Sequence, residues 1–337
     1  MMFEKYLNRC LRIAGGGYLA VALVISPALA ADKLKITLNW TPGNSDIGIQ
    51  YAEALGFYKE AGIDLEIEPG KGSGTTSQIV AAGSTDIGLA NGASAISIAA
   101  KGAPIKIIAV IYQAPDWGVI SLKDTPIKTP KDLEGKTIAI SPGSADIPLF
   151  ETMVKVNGVD RSKINVLSAD AAGFIGLLAE KKVDAVSAAA GDVMIPLGPK
   201  GVETKAMWYK DYGAPIVGLS LIAREDRLKK NPDLYKRFVD ATLRGMAAVV
   251  KSPEAAVDAL RSRNSDAQPK SDLMEELTKY QIPNLCGPGA AGLGKPSADE
   301  WKITGEVLTQ TLGSLGDGGI ETKYTEDYLP AQLPPCP

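Results

Sequence analysis

Two segments of the chain, residues 78–87 and 175–185, repeat the same local order. In each segment a helical pattern ends in a three-residue turn, and an aspartate then enters a strand that leads into small residues. Strand, loop, helix and strand in this succession are typical of parallel strands joined by right-handed crossovers. Because the whole order occurs twice, the sequence predicts an α/β fold of two similar lobes, with a ligand cleft between them.

The limits of the lobes follow from two stretches that mix aromatic and polar residues, 112–117 and 207–213. We predict that the chain crosses from one lobe to the other at these stretches and that they contain the hinge. Residues 31–114 plus 214–337 are therefore assigned to lobe 1, and residues 115–213 to lobe 2.

The first thirty residues have the parts of an export signal. Basic residues precede an uncharged run, residues 13–25, and the small-x-small sequence Ala28-Leu29-Ala30 follows it. The run is shorter than the span of about 20 residues that a transmembrane helix needs, so a permanent anchor is the weaker interpretation. We predict that residues 1–30 are a signal peptide and that the mature protein is periplasmic.

Composition narrows the classes of function. The chain has 36 basic and 39 acidic residues, without the concentration of lysine and arginine that nucleic-acid binding needs, so we expect no nucleic-acid partner. It contains no histidine, which removes the usual catalytic triads, imidazole zinc sites and the commonest general base. Carboxylate or lysine chemistry stays open, but we expect no enzymatic activity, no cofactor and, without a carboxylate cluster of suitable spacing, no metal.

Two cysteines, Cys286 and Cys336, remain after the predicted cleavage. An oxidising compartment permits a disulfide between them that would tie the Pro-rich tail to the body of the protein. We expect this disulfide, and two free thiols are the alternative, because spacing alone does not decide between them.

Candidate binding residues lie where the predicted strands end, since ligands in open parallel sheets bind beyond the carboxyl ends of strands. Glycine and small hydroxyl residues let backbone N–H groups approach a ligand, and loops that open helices direct the helix dipole at polar atoms. The set also includes aromatic residues that offer flat apolar faces. Its members are Asn39, Trp40, Thr41, Gly72, Ser73, Gly74, Thr75, Asn91, Gly92, Tyr112, Trp117, Ser141, Gly143, Ser144, Ala145, Asp146 and Asp192.

Several of these residues have a second interpretation. Trp40 follows a strand inside a Pro/Gly loop, which favours the cleft over the core, whereas Trp117 suits either place. Asp146 and Asp192 are also suited to helix capping, and for Asp192 capping is the preferred interpretation. Residues 70–75 look like a phosphate loop, but the lysine comes too early for that motif, which argues against a nucleotide hydrolase.

A set of motifs resembles the NMT1/THI5-like (SsuA/THI5-like) substrate-binding family. The similar segments are 38–42 (LNWTP), 52–65 (AEALGFYKEAGIDL), 72–74 (GSG), 81–88 and 132–136 (DLEGK). The resemblance implies a type II periplasmic binding protein fold, with two α/β lobes, a hinge and a cleft. It also implies a binding protein of an ABC importer for pyrimidine precursors of thiamin, sulfonates, nitrate or related compounds. In the pyrimidine-precursor branch, the resemblance implies that Trp40 stacks on the heterocycle.

The chain departs from the family pattern at residues 44–46, where Asn-Ser-Asp replaces a segment that commonly contains a histidine. The family's cytoplasmic enzymes, which use an active-site histidine and pyridoxal phosphate, do not fit a histidine-free chain with an export signal. We therefore predict a monomeric solute-binding protein that works with ABC permease subunits in the inner membrane. Its predicted ligand is a small nutrient of the pyrimidine or thiamin-precursor type. An anion (sulfonate, nitrate or aromatic carboxylate) is the alternative ligand, and an exported enzyme is the least favoured function.

Overall fold

A computed structural model describes residues 31–114, 116–144 and 146–337. The predicted signal peptide, residues 1–30, lies outside the described residues, and so does the candidate binding residue Ala145. The strands in chain order are β1 (Asp32–Thr37), β2 (Ile63–Glu68), β3 (Ile87–Asn91), β4 (Ile105–Val110), β5 (Trp117–Leu122), β6 (Thr137–Ile140), β7 (Asn165–Ser168), β8 (Ala185–Ala189), β9 (Thr204–Trp208) and β10 (Leu219–Arg224).

The α-helices in chain order are α1 (Ile47–Ala54), α2 (Phe57–Glu60), α3 (Ser73–Ala81), α4 (Gly92–Ala100), α5 (Asp146–Val156), α6 (Phe174–Ala179), α7 (Ala190–Leu197), α8 (Glu225–Lys230), α9 (Pro232–Lys251), α10 (Pro253–Arg263), α11 (Lys270–Glu276) and α12 (Ala298–Leu312). A π-helical turn, Leu277–Gln281, continues α11, and short 3₁₀ helices include Asn44–Asp46 and Tyr209–Tyr212. Among the described helices, none has both the length and the apolar character needed to cross a bilayer.

The strands form two five-stranded sheets. The first has the order β2-β1-β3-β10-β4, in which β1 is parallel to β2 and β3, and β10 is antiparallel to β3 and β4. The second has the order β7-β6-β8-β5-β9, in which β6 is parallel to β7 and β8, and β5 is antiparallel to β8 and β9. The predicted α/β architecture with two similar halves is confirmed.

Both sheets are mixed, whereas the sequence pattern predicted parallel strands. Strands that a helical crossover connects run parallel, but a strand that enters a sheet by another route has no such constraint. β5 enters the second sheet directly from β4 of the first, and β10 enters the first sheet directly from β9 of the second. Each of these two strands runs antiparallel to its neighbours.

The chain passes between the sheets twice, between β4 and β5 and between β9 and β10. The lobe limits 31–114 plus 214–337 and 115–213 stay a prediction, because C-terminal helices also pack on the second half. Helix α11 contacts α7, and α12 contacts both α4 and α5. Residues 31–337 accordingly form one compact unit.

Local signals in the sequence determine where helices begin and end. The pattern predicts one helix from Ile47 to Lys59, but α1 ends at Ala54 because Gly56 adopts a left-handed φ of 77°, which glycine accepts readily. Helix α12 begins after Ser297, which forms a reciprocal capping box with Glu300.

The C-terminal tail lies along strand β4 and is covalently attached to the body. Cys286 and Cys336 form a disulfide with their Cα atoms 5.9 Å apart. The N–H of Ile107 in β4 donates to the carbonyl of Lys323 at 3.0 Å, and Val110 donates to Gly294 at 2.9 Å. The tail and the loop at Gly294 thus pair with part of the free edge of the first sheet, which would otherwise offer unpaired backbone groups.

Candidate ligand cleft

A cavity of about 350 Å³ lies where loops of both sheets meet. One wall comes from residues 39–45 after β1 and from the start of α3, and the opposite wall from residues after β6 and around the end of β8. Residues between 266 and 284 close a third side. The cavity therefore occupies the carboxyl ends of the parallel strands, the usual ligand position in open α/β sheets, and its size suits a small molecule.

Most of the predicted binding residues line this cavity. They come from both sheets, so the fold brings together side chains that are far apart in the sequence. The residues in this group are Asn39, Trp40, Thr41, Gly72, Ser73, Tyr112, Trp117, Ser141, Ser144, Asp146 and Asp192.

Five other predicted residues, Gly74, Thr75, Asn91, Gly92 and Gly143, do not line the cavity. Asn91 is buried, and its side chain accepts a hydrogen bond from the Ala93 N–H at 3.0 Å as the N-cap of α4. Its own N–H donates to the Ser73 hydroxyl at 3.0 Å. Asn91 therefore supports the cleft wall from behind.

The glycines at the start of α3 contact the loop after β6. The N–H of Gly74 donates to the carbonyl of Gly143 at 3.2 Å. A Cβ on Gly72 would lie 2.5 Å from that same carbonyl oxygen, and Gly72 has a φ of +110°. Only glycine fits here, because an added methyl group would meet the backbone of the opposite wall.

Aromatic side chains supply the apolar surface of the cleft. Trp40 is 36 % exposed and lines the cavity, which agrees with a cleft position and not with a core position. Tyr280 lines the same cavity and packs against Trp208 with ring centroids 6.5 Å apart. Phe174 and Trp117 add further apolar surface. Flat rings of this kind bind planar ligands by stacking.

Five carboxylates line the cavity: Asp116, Asp146 and Glu276, and the exposed Asp192 and Asp266. Burial raises the pKa of Asp146 and that of Asp116 to about 6, and the charge of Lys210 partly opposes the shift at Asp116. Desolvation by the cleft walls raises the pKa of Asp192, although its side chain is exposed, and the charges of Asp116 and Asp146 raise it further. The cleft is thus acidic and holds its carboxylates close together.

Glu276 links the C-terminal helices to the cleft. Its carboxylate accepts hydrogen bonds from Asn44 Nδ2 at 3.0 Å and from Gln281 Nε2 at 2.7 Å. Burial raises its pKa, and the charges of Asp192 and Asp116 add to the effect. A Cβ on Gly191 would lie about 2.2 Å from the Glu276 carboxyl carbon, so Glu276 rests directly on the first turn of α7.

The sequence analysis missed Asp116, Asn44 and the residues of 266–284 as lining residues. Glu276 lies in a short helix whose acidic residues resemble a solvated face, and no motif marks it. Asn44 falls in the segment where the chain departs from the family pattern. This departure was the one sequence feature that could have marked Asn44 as a lining residue. Its Nδ2 atom donates to both Glu276 and the carbonyl of Leu273.

Asp146→Asn is expected to stabilise the ligand-free protein at pH 8 by roughly 1–3 kcal/mol and to have little effect at pH 4. The pKa of Asp146 is about 6 in the folded protein against an ordinary 3.8. A raised folded-state pKa contributes stability below the ordinary pKa, and this contribution is lost as the pH rises through about 6. Asparagine cannot ionise and avoids that loss.

Urea denaturation at pH 4 and pH 8 measures the effect of Asp146→Asn. Asp64→Asn is the matched control, because Asp64 is exposed on β2 and its replacement removes the same charge outside the cleft. The control should show no comparable gain at pH 8. A loss of stability at pH 8 in Asp146→Asn would contradict the raised pKa.

Solved structures define the fold class. The structure is similar to that of the periplasmic aliphatic sulphonate binding protein SsuA from Escherichia coli, with a TM-score of 0.66 and 16% sequence identity. The match covers 82% of this chain and 90% of that chain. Two α/β sheets with a cleft at their strand ends are thus the fold of periplasmic binding proteins, as the sequence predicted.

The chain belongs to the NMT1/THI5-like family, whose family model matches residues 44–256. The formylaminopyrimidine-binding protein of Halalkalibacterium halodurans is 25% identical over 81% of this chain and 83% of its own length. The 4-amino-5-hydroxymethyl-2-methylpyrimidine phosphate synthase THI11 of Saccharomyces cerevisiae is 33% identical over 89% of each chain. The family resemblance seen in the motifs is confirmed, and the relatives include both a binding protein and an enzyme.

Proposed function

We propose that this chain is a periplasmic solute-binding protein of an ABC importer and that its cleft binds a small nitrogen heterocycle of the pyrimidine type. The observation that carries the proposal is the cavity of about 350 Å³, which is enclosed by both sheets and has the exposed face of Trp40 in its wall. The similarity to a formylaminopyrimidine-binding protein supports the same class of ligand.

The side chains of the cleft suit the edge of an aminopyrimidine. Trp40 would stack on the ring, as planar aromatic surfaces do with heterocycles. Asp146 Oδ2 and Asn44 Oδ1 are buried acceptors without a hydrogen-bond partner among the described residues. An exocyclic amino group or a ring N–H would donate to them, which would offset the cost of burying these oxygens unpaired.

Closure of the two halves would enclose the ligand and form the surface that permease subunits recognise. The contact between Gly74 and Gly143 joins the rims of the opposing walls and is well placed to close the cleft. The crossing stretches, between β4 and β5 and between β9 and β10, would act as the hinge of a monomer.

A binding function has more support than a catalytic one. A heterocycle has more support as the ligand than an anion. The chain has no histidine, although one of its relatives is a synthase. Neither lysine nor arginine occurs among the described residues that line the cavity, which disfavours a sulfonate, nitrate or carboxylate ligand. Recovery of a bound ligand in unchanged form after long incubation would support binding, whereas a product would indicate an enzyme.

Thermal shift and calorimetry with pyrimidines, sulfonates, nitrate and aromatic acids test the proposed function. A ligand present at 100 times its Kd adds about 2.7 kcal/mol to the stability, which raises Tm measurably. We expect an aminopyrimidine to bind, and Trp40→Ala to weaken it about 10-fold through loss of stacking worth roughly 1.4 kcal/mol.

Leu55→Ala is the control for Trp40→Ala, because Leu55 is an exposed apolar residue that does not line the cavity. It should leave the affinity unchanged. Preferential binding of sulfonate or nitrate, with no response to pyrimidines, would overturn the proposed ligand class.

A further inference from the structure

We propose that the cleft selects a positively charged ligand, a cationic nitrogen heterocycle or amine, over an uncharged ring of the same size. This inference rests on the proposed binding function and adds the charge of the ligand to it. A neutral pyrimidine would satisfy the proposed function but not this inference.

The first observation is the imbalance of charge in the cleft wall. Asp116, Asp146, Asp192 and Glu276 all line the cavity, and among the described lining residues there is no lysine or arginine. Lys210 affects Asp116 from outside the lining set, and the tyrosines that face the cleft, Tyr112 and Tyr280, are uncharged near neutral pH. The protein itself therefore leaves most of this negative charge without a counter-ion.

The second observation concerns acceptor atoms that have no donor. Asp146 is 1 % exposed and Asn44 is 3 % exposed, and both line the cavity. Asp146 Oδ2 and Asn44 Oδ1 have no hydrogen-bond partner among the described residues. Buried polar atoms in proteins are almost always paired, so these two oxygens indicate where donors of a ligand belong. Asn44 is uncharged, so its unpaired oxygen indicates a ligand donor without reference to the charge of the carboxylates.

Neighbouring carboxylates disfavour the ionised forms of Asp192 and Glu276. Burial is the main cause of the raised pKa of Glu276, and the charges of Asp192 and Asp116 contribute. Hydrogen bonds from two amide donors to its carboxylate oxygens oppose this shift only in part, and the pKa of Glu276 stays at about 8. A positive charge placed between such groups lowers the free energy of each ionised carboxylate, whereas a neutral ligand leaves the repulsion in place.

The aromatic wall fits the same ligand. Trp40, Trp117 and Tyr280 line the cavity that contains the carboxylates. Faces of tryptophan and tyrosine attract cations through the quadrupole of the ring, and this attraction grows in sites that exclude water. Aromatic faces together with buried carboxylates are typical of sites for cationic nitrogen ligands.

A matched pair of probes isolates the effect of charge: 4-aminopyrimidine and its N-methylated salt, 1-methyl-4-aminopyrimidinium. At pH 8 the 4-aminopyrimidine is uncharged and its N-methylated salt is a cation. Calorimetry at this pH measures the affinity of each compound for the protein from residue 31 onward. We expect the cation to bind at least 10-fold more tightly than the neutral ring. Pyrimidine-4-carboxylate, an anion of similar size, should bind more weakly than either.

Asp192→Asn tests whether the cleft carboxylates cause this preference. Asp192 is exposed to the cleft, so its replacement should not disturb folding, and Asp146→Asn serves as a second variant at a buried position. Asp192→Asn should reduce the preference for the cation several-fold without weakening the neutral ring. Asp146→Asn, which also removes a proposed acceptor for the amino group, should weaken both ligands and the cation by several-fold more. Asp64→Asn changes the net charge equally from the exposed surface of β2 and should leave the preference intact.

The three ways in which the inference can fail are distinguishable. Equal or tighter binding of the neutral ring overturns the cation inference while leaving the proposed pyrimidine binding in place. Tightest binding of the carboxylate overturns both the inference and the proposed ligand class. A cation preference that persists unchanged in Asp192→Asn and Asp146→Asn overturns the assignment of these carboxylates as its cause.

Discussion

Replacing both Cys286 and Cys336 with alanine is expected to lower the free energy of unfolding by about 2–4 kcal/mol. The disulfide joins residues 50 positions apart, and its loss gives the unfolded chain additional conformational freedom. It also releases the tail, which pairs with β4 at Ile107 through Lys323 and Thr325. We therefore expect the backbone amides of β4 to exchange with solvent faster in the variant, as hydrogen-exchange measurements would show.

Reduction provides the matched control for this prediction. Reductant should lower the Tm of the wild-type protein towards that of the double variant, and should leave the Tm of the variant unchanged. Ligand affinity should change little, because neither cysteine lines the cleft. An equal stability of oxidised wild type and double variant would show that the tail holds its place without the covalent bond.

Gly72→Ala is expected to weaken ligand binding about 100-fold, which corresponds to roughly 2.7 kcal/mol. The new methyl carbon would lie 2.5 Å from the carbonyl oxygen of Gly143, and the atom in its way is backbone, so the opposing walls would have to separate. The φ of +110° adds strain for any residue with a side chain. Calorimetry with the ligand identified by the thermal-shift panel measures the loss.

Gly56→Ala separates the clash from the backbone strain. Gly56 has a φ of +77° like other left-handed glycines, but a Cβ there would meet no atom within 4 Å. It should cost about 1 kcal/mol of stability and leave the affinity unchanged. If Gly72→Ala binds ligand as tightly as Gly56→Ala, contact between the walls at Gly72 is not required for binding.

The amino-acid sequence alone was sufficient to predict the parts of the cleft that follow local rules. Strand ends are recognisable from turns and small residues, so Asn39, Ser73 and Ser141 could be assigned to one site from their positions along the chain. Trp40 could be assigned to the cleft because a large apolar residue in a Pro/Gly loop has few core positions available. These inferences need only the order of helices and strands.

The parts that were missed depend on tertiary packing. Glu276 reaches the cleft because α11 packs against α7, a contact between segments without any shared motif. The antiparallel direction of β10 depends on a return from the other sheet, which alternation of apolar residues does not reveal. The acidity of the cleft was likewise hidden, since its five carboxylates are spread between residues 116 and 276 of the chain.

The position of β10 has a consequence for the order in which the molecule can be assembled. β3 and β4 precede the whole second sheet in the chain, yet they are joined only through β10, which follows it. During synthesis from the N-terminus, the chain can complete the second sheet, residues 117–208, before the first sheet has either of the two strand pairs that β10 forms. Until residue 224 is available, β3 and β4 keep open edges. The half that is synthesised first is therefore the half that is completed last.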